Sequence, residues 1–268
     1  MATAQVRSIG SIARARSLTA PLIYLRTMGL FCLAWYGLSQ VVPNKLLLPS
    51  PAAVVLALRD AALDGDLFSN VASSLWRLSV SLLLAAAIAI PLGLLVGRSR
   101  FWEDLFEVPV EVLRPIAGIA WIPLALFVFG IGNALPIFIM FYTALFPLLL
   151  GTAAGARGVD RRLIAAARTM GLARGAMLRH VILPATLPAI LVSARLAVAS
   201  SWTAVVAAEL IGAPSGVGYA IEYYRSMLMT PSVMAFIAVI GLLGYLTDRL
   251  VRVLGRRLTP WATDRAAS

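Results

Sequence analysis

Six long apolar stretches constrain this chain more than any other feature of its sequence. They cover roughly residues 22–42, 75–96, 116–131, 135–153, 187–211 and 233–254. Their lengths approach the ~20 residues that an α-helix needs to cross a bilayer core of about 30 Å. Of the 268 residues, 60% are hydrophobic and 13% are charged, whereas soluble domains have about 45–50% and 25%. We therefore predict an all-α, polytopic membrane protein with about six transmembrane helices.

The basic residues set the expected orientation of these spans. The formal charge is +11, from 23 Lys and Arg against 12 Asp and Glu. Most basic residues lie in the two tails and in the segments 98–114 and 155–182, whereas the segments on the other side hold only Lys45, Arg59 and Arg225. Cytoplasmic loops of membrane proteins are enriched in Lys and Arg, so we expect both termini to be cytoplasmic. This distribution explains the positive charge without a nucleic-acid partner.

The same boundaries divide the chain into five parts. The expected parts are a cytoplasmic tail (1–21), a first transmembrane helix (22–42), an extracytoplasmic loop (43–70), a transmembrane core (71–254) and a cytoplasmic tail (255–268). A basic segment before a short apolar run also fits a signal peptide, but no small-x-small cleavage site follows, which favours a retained span. Within the loop, Ser50 and Pro51 predict the start of a short helix.

The residue types that most enzymes need are scarce. The chain has one cysteine, Cys32, and one histidine, His180, which argues against a metal centre or a Ser–His–Asp site. It has no Gly-x-x-x-x-Gly-Lys-Ser/Thr phosphate-binding loop, so we expect no ATPase site and no cofactor of its own. The dense group of acids in 103–111 has no histidine at metal-ligand spacing and is predicted to be a solvated loop. An integral membrane enzyme acting on lipids is the alternative that would need such a group.

The segment 155–182 is the longest basic stretch, with the pattern of a helix, a glycine and a second helix. Residues 165–170 favour a helix, and Gly171 can take the left-handed conformation that ends one. The second helix is expected to run to about His180, after which Leu183 and Pro184 redirect the chain toward the next span. Such an elbow can dock in a groove of a soluble partner. The alternative is a helix that lies passively on the lipid headgroups.

This segment resembles the cytoplasmic EAA loop of the permease subunits of binding-protein-dependent ABC importers. That loop has the pattern Glu-Ala-Ala, three residues, Gly, nine residues, Ile, one residue and Leu-Pro. The residues that match in spacing are Ala166, Ala167, Gly171, Leu183 and Pro184. Ala165 replaces the glutamate and Val181 the isoleucine, so the polar contact that this glutamate offers the ATPase is missing. The resemblance assigns coupling to an ATPase to Ala165, Ala166, Ala167, Arg168, Gly171, Leu183 and Pro184.

Further motifs are similar to the nitrate, sulfonate and taurine branch of that family. They are LRPIAGIAWIPL (113–124), FGIG (129–132), RLAV (195–198), VAAEL (206–210) and RLTPW (257–261). The resemblance covers roughly residues 45–261. It implies a type I ABC importer-like fold and the channel-forming subunit of an ATP-driven importer in a bacterial cytoplasmic membrane. The implied partners are an ATPase dimer, a second permease copy, an extracytoplasmic solute-binding protein and lipids. The implied cargo is a small anion such as a sulfonate, taurine, nitrate or bicarbonate.

Arg195, Trp202 and Glu209 recur every seven residues in the fifth span. Seven residues rotate a helix through about 700°, so these side chains are predicted to share one face. With Ser200 and Ser201 nearby, they are predicted to line the translocation pathway, because ionisable residues within spans usually face a bundle interior or an aqueous path. The alternative is that Arg195 and Glu209 lie at opposite interfaces of the bilayer.

Two Gly-x-x-x-Gly pairs bear on how the spans pack. They lie at 93–97 and 151–155. Because glycines four residues apart let two helix backbones approach closely, the pairs predict tight helix packing, within this chain rather than between copies.

Overall fold

The computed structural model describes residues 26–42 and 47–263, and the regular structure within them is helical. The predicted tail 1–21, residues 22–25 of the first span and residues 264–268 lie outside this part. In chain order the elements are α1 (26–41), α2 (Pro51–Leu63), α3 (Asp66–Arg98), α4 (Arg100–Leu113), a 3₁₀ turn (Gly118–Trp121), α5 (Ile122–Phe129), α6 (Ala134–Arg157), α7 (Arg161–Thr169), α8 (Arg174–Met177), a π-helical turn (Leu178–Ile182), α9 (Leu183–Gly212), α10 (Val217–Ser226), α11 (Thr230–Leu258) and α12 (Pro260–Thr263).

Helix α6 packs between α3 and α9, and the glycine pairs make both contacts close. A β-carbon built at Gly93 would lie 2.7 Å from Cβ of Thr152 on α6. One built at Gly155 would lie 3.0 Å from Cγ2 of Thr186 on α9. Any side chain larger than hydrogen would therefore separate these helices. Both pairs serve packing within the chain, as predicted.

The other side of the bundle is closed by α11, which packs on α9, α10 and α2. Phe236 of α11 is fully buried in an apolar cluster with Ala61 of α2 and Val217 of α10. Helix α2 begins as the sequence predicted, because Ser50 Oγ accepts a hydrogen bond from the N–H three residues later and Pro51 occupies the first turn.

Within the described residues, four helices are long and apolar enough to cross a membrane. They are α3, α6, the continuous helix Gly175–Gly212 that includes α9, and α11. A fifth candidate is broken, because Arg100–Leu113 and Gly118–Phe129 qualify only together and are bent by 81°. The described part of α1 is shorter than a full span. The structure confirms the all-α, multi-pass class of fold.

The region of the predicted third span differs from the expectation. A 3₁₀ turn and the short α5 replace a continuous helix over 116–131, and the predicted acidic loop before it is the helix α4. The segment of α4 is helical because its apolar residues recur at helical spacing, a pattern that its many acids obscured. Phe101, Leu105, Val108 and Val112 recur at intervals of four, three and four residues and form an exposed apolar stripe, which is the pattern of an amphipathic helix.

The second difference concerns Leu183 and Pro184, which do not redirect the chain. The helix runs without a break over Gly175–Gly212, with the π-helical turn directly before these residues. A proline lacks the N–H that would bond to the carbonyl four residues earlier, and its ring clashes with that carbonyl. For Pro184 this carbonyl belongs to His180, inside the wider π turn. The π turn therefore allows Pro184 to lie within a continuous helix.

Candidate functional site

The predicted elbow begins with a capped helix and ends with a glycine in the left-handed conformation. Asp160 Oδ1 accepts a hydrogen bond of 2.8 Å from the backbone N–H two residues later, at the start of α7. At the other end, φ of Gly171 is +77°. The N–H of Gly171 donates to the carbonyl of Arg168 at 2.9 Å, and the N–H of Leu172 donates to the carbonyl of Ala167 at 3.2 Å. These two bonds form a Schellman motif, so Gly171 ends α7 as its position predicted.

Helix α7 is anchored by one face and exposed on the other. Ile164 and Ala167 are buried in an apolar cluster with Leu94 of α3. Two large apolar side chains point outward, since Leu163 is 53% and Met170 is 72% exposed. The predicted coupling residues on this exposed side are Ala165, Ala166, Arg168 and Gly171. Ala167 instead belongs to the anchor, and Leu183 and Pro184 lie in α9. The exposed face offers apolar and basic groups on a fixed helix.

The predicted pathway residues around the middle of α9 include Arg195, Ser201 and Trp202, and these three contact other helices of the same chain. Arg195 Nε donates to Asp248 Oδ1 of α11 at 2.8 Å, and Trp202 Nε1 donates to Thr247 Oγ1 at 2.9 Å. Of the two serines, Ser200 is half-buried and Ser201 is fully buried against α6. Arg195 and Trp202 therefore share one face, and both contact α11 there; Trp202 is buried, whereas the Arg195 side chain is 41% exposed.

Glu209, near the end of α9, lies in a buried ion pair with Arg77 of α3. Arg77 Nη1 is 2.7 Å from Glu209 Oε1, and the two side chains are 1% and 0% exposed. Ser74 Oγ is 2.9 and 2.8 Å from the two carboxylate oxygens. Arg77 also donates to Asn133 Oδ1 at 2.9 Å, and to the backbone carbonyl and Oγ of Ser215 at 2.7 Å each. Both charges thus have several partners, without which their burial would be very costly.

The same network holds the start of α10. The N–H of Gly218 donates to Glu209 Oε2 at 3.0 Å, and the N–H of Val217 donates to Ser74 Oγ at 2.9 Å. The N–H of Gly216 donates to Asn70 Oδ1 at 2.8 Å. The first N–H groups of a helix have no partner within it, and a carboxylate there is favoured by the helix dipole. Side chains of α3 and α9 therefore fix the loop 212–218 and α10.

These positions disagree with the expectation that Trp202 and Glu209 face a water-filled path. The seven-residue spacing indicates a shared face, but it does not indicate which neighbouring helices cover that face. Sequence reasoning also missed Arg77. The available signal was a pair of isolated charges of opposite sign, one in each of two apolar spans, because such charges usually pair with one another.

The chain matches the family of binding-protein-dependent transport system inner membrane components over residues 89–260. It belongs to this family. A putative ABC transporter permease protein of Methanocaldococcus jannaschii is 38% identical to it over 232 residues, which are 85% of this chain and 87% of the relative. The taurine transport system permease protein TauC of Escherichia coli is 33% identical over 241 residues, or 88% of each chain. A putative aliphatic sulfonates transport permease protein, SsuC of Bacillus subtilis, is 36% identical over 220 residues, 82% of this permease and 80% of the relative.

Solved structures support the same fold for the permease. An inward-facing structure of the MetNI methionine ABC transporter matches with a TM-score of 0.60 at 21% identity, over 71% of this chain and 94% of that one. Together with the relatives, this likeness confirms a type I ABC importer-like membrane subunit. The chain is therefore a multi-pass transport subunit, and the comparisons do not fit the alternative of a lipid enzyme.

Proposed function

We propose that ATP is hydrolysed for this permease by separate subunits, which bind to the exposed face of α7. The observation that carries the proposal is the elbow itself. Its helix is anchored through Ile164 and Ala167, while Leu163 and Met170 extend into solvent. A docked subunit that moves would displace an anchored helix together with the bundle behind it. The chain itself has no phosphate-binding loop, so its partner must supply the nucleotide site.

The proposed assembly contains two permease copies, two ATPase subunits and an extracytoplasmic binding protein. The proposed cargo is a small anion. This is supported by the relatives, which include permeases named for taurine, aliphatic sulfonates and nitrate. Substrate choice is expected to lie mostly in the binding protein, because Glu209 and Arg195, the ionisable residues predicted to line the path, are paired with Arg77 and Asp248 and are not available to select an anion.

Reconstitution tests the whole proposal. Liposomes that contain the permease with its ATPase subunit, with ATP inside and the binding protein outside, should accumulate radiolabelled taurine, an alkanesulfonate or nitrate. Omission of ATP or of the binding protein should abolish uptake. The permease purified alone should hydrolyse no ATP. Hydrolysis by the permease alone would contradict the proposal, as would equal uptake without the ATPase subunit.

The proposed orientation places both termini and α7 in the cytoplasm, and α2 and α10 outside. Single cysteines at Asp64 and Ala166 test it on a Cys32→Ser background, because both positions are exposed. In intact cells that express the permease without its ATPase subunit, so that α7 is uncovered, a membrane-impermeant thiol reagent should label position 64 and not position 166. In inverted membrane vesicles the result should reverse. Labelling of position 64 only in inverted vesicles would show the opposite topology.

A further inference from the structure

Three arginines line the cavity beside Ala165. The cavity lies between the end of α3 and α7, has a volume of about 330 Å³ and is lined by Arg98, Arg161, Ile164, Ala165 and Arg168. An adjoining cavity of about 540 Å³ shares Arg98, Ile164 and Arg168 with it. Burial of Leu94 with Ile164 and Ala167 brings the last turn of α3 to α7. We call Arg98, Arg161 and Arg168 the arginine trio.

The part of the chain that the structure describes provides no acid for the arginine trio. None of its ion pairs includes a member of the trio. Of the acids closest in sequence, Glu103 pairs with Arg157, Asp160 caps α7, and Asp104 takes part in none of these ion pairs. Glu107 and Glu111 line a different cavity, beside α4. Three exposed positive charges therefore surround one opening without a described counter-charge.

Position 165 explains why α7 provides no acid for the trio. A glutamate at this position would lie four residues after Arg161 and three residues before Arg168, the two spacings at which helical side chains of opposite charge pair. It would also project into the cavity that Arg98 lines. With alanine there, the cavity stays open, and the N–H groups of the arginines remain available to bind an acceptor. The alanine that replaces the family's glutamate therefore leaves this basic cavity open.

We propose that the arginine trio receives a carboxylate of the ATPase subunit. The polar contact near position 165 then has its positive charges on the permease and its negative charge on the ATPase. The inference rests on the proposed function, because it takes α7 as the surface to which the ATPase binds. It is supported by the location of the cavity at Ala165, which is itself exposed next to the exposed Ala166 on α7, so that a partner surface that covers these alanines can insert an acid between the arginines.

Binding of the ATPase subunit to the permease in nanodiscs tests the proposal. Ala165→Glu should weaken binding on the order of tenfold relative to Ala165→Gln, because an internal carboxylate competes for the arginines whereas an amide of equal size does not. Arg168→Gln should weaken binding similarly. Arg162→Gln is the matched control, since Arg162 lies on the same helix but does not line the cavity. Binding to the unaltered permease should weaken as salt rises, and less steeply for Arg168→Gln.

Two results would overturn the proposal while leaving the proposed function intact. In the first, Ala165→Glu binds the ATPase as tightly as Ala165→Gln, or Arg168→Gln matches Arg162→Gln. In the second, the trio binds an anionic lipid instead: the salt dependence is present only in nanodiscs with phosphatidylglycerol, and Arg168→Gln removes bound phosphatidylglycerol in the absence of ATPase. If the unaltered permease does not bind the ATPase at all, the proposed function fails together with this inference.

Discussion

The buried ion cluster around Glu209 and the arginine trio around Ala165 place positive charge in opposite settings. In the first, Arg77 is 1% exposed and its donors meet Glu209, Asn133 and Ser215 within the chain. In the second, exposed arginines line an open cavity, with no counter-charge among the described residues. The cluster is complete in one chain, whereas the trio needs a partner. Substitutions in the cluster should therefore impair folding, and substitutions in the trio should impair assembly.

The largest expected effect tests whether the buried cluster is complete. Arg77→Gln leaves the carboxylate of Glu209 buried without its cation, and breaking a buried ion pair in this way costs about 3–5 kcal/mol. We expect a large loss of thermal stability in detergent and a loss of assembled permease. A double-mutant cycle with Glu209→Gln tests this cause of the instability. The double variant lacks the uncompensated buried charge and should be more stable than Arg77→Gln alone.

The exposed pair of Arg225 and Glu222 provides the control for this prediction. It carries the same charges on α10, the helix whose start the cluster fixes, but it is open to solvent. Exposed ion pairs contribute little to stability. Arg225→Gln should therefore leave the melting temperature nearly unchanged. If Arg77→Gln melted like Arg225→Gln, the cluster would not be the structural element that its burial indicates.

The next effect concerns α7 and should separate assembly from folding. The left-handed conformation of Gly171 costs a residue with a β-carbon about 1–2 kcal/mol, and a β-branched residue fits it least well. Gly171→Val should therefore displace the end of α7 and reduce recovery of ATPase with the permease, while the melting temperature changes little. Gly175→Val is the matched control, because Gly175 has no positive φ and a β-carbon there meets open space. Equal recovery with both variants would favour the passive surface helix.

Local features were the ones that the sequence predicted well. The cap at Ser50, the left-handed Gly171 and the two glycine pairs each follow from a few adjacent residues, whose conformation or size leaves little freedom. The type of fold follows from the length and number of the apolar stretches. The family pattern located the elbow, and the structure then showed that Ala167 faces the bundle while Ala165 and Ala166 face solvent.

What the sequence did not predict depends on contacts between distant segments. Arg77 and Glu209 are 132 positions apart, so their pairing leaves no local pattern. The seven-residue spacing placed Arg195 and Trp202 on one face, but only the structure shows that both side chains bind α11. The amphipathic α4 is different, since its apolar spacing was present in the sequence and its acids concealed it.

The smallest effect probes the edge of the buried cluster, where Tyr224 of α10 donates a hydrogen bond of 2.8 Å to Asp66 Oδ2 at the start of α3. Tyr224→Phe keeps the ring stacked on Phe236, with ring centres 5.6 Å apart, and removes only the hydroxyl. The loss should be about 1 kcal/mol, the usual net value of one hydrogen bond. Tyr223→Phe is the control, because the side chain of Tyr223 is more exposed. A loss as large as that of Arg77→Gln would mean that α10 is held mainly from this edge.

The ionisation of Tyr224 gives the same prediction a second measurement. Burial, and then the hydrogen bond to Asp66, raise the pKa of Tyr224 from 10.0 to about 12. The folded chain thus holds this proton more tightly than the unfolded chain, so the contribution to stability is complete below pH 10 and is lost as the pH rises toward about 12. In an ultraviolet titration of the folded permease, the difference between the unaltered chain and Tyr224→Phe should show one tyrosine that ionises near pH 12. A difference centred near pH 10 would show that α10 does not hold Tyr224 against α3 in solution, and that the buried cluster ends before this edge.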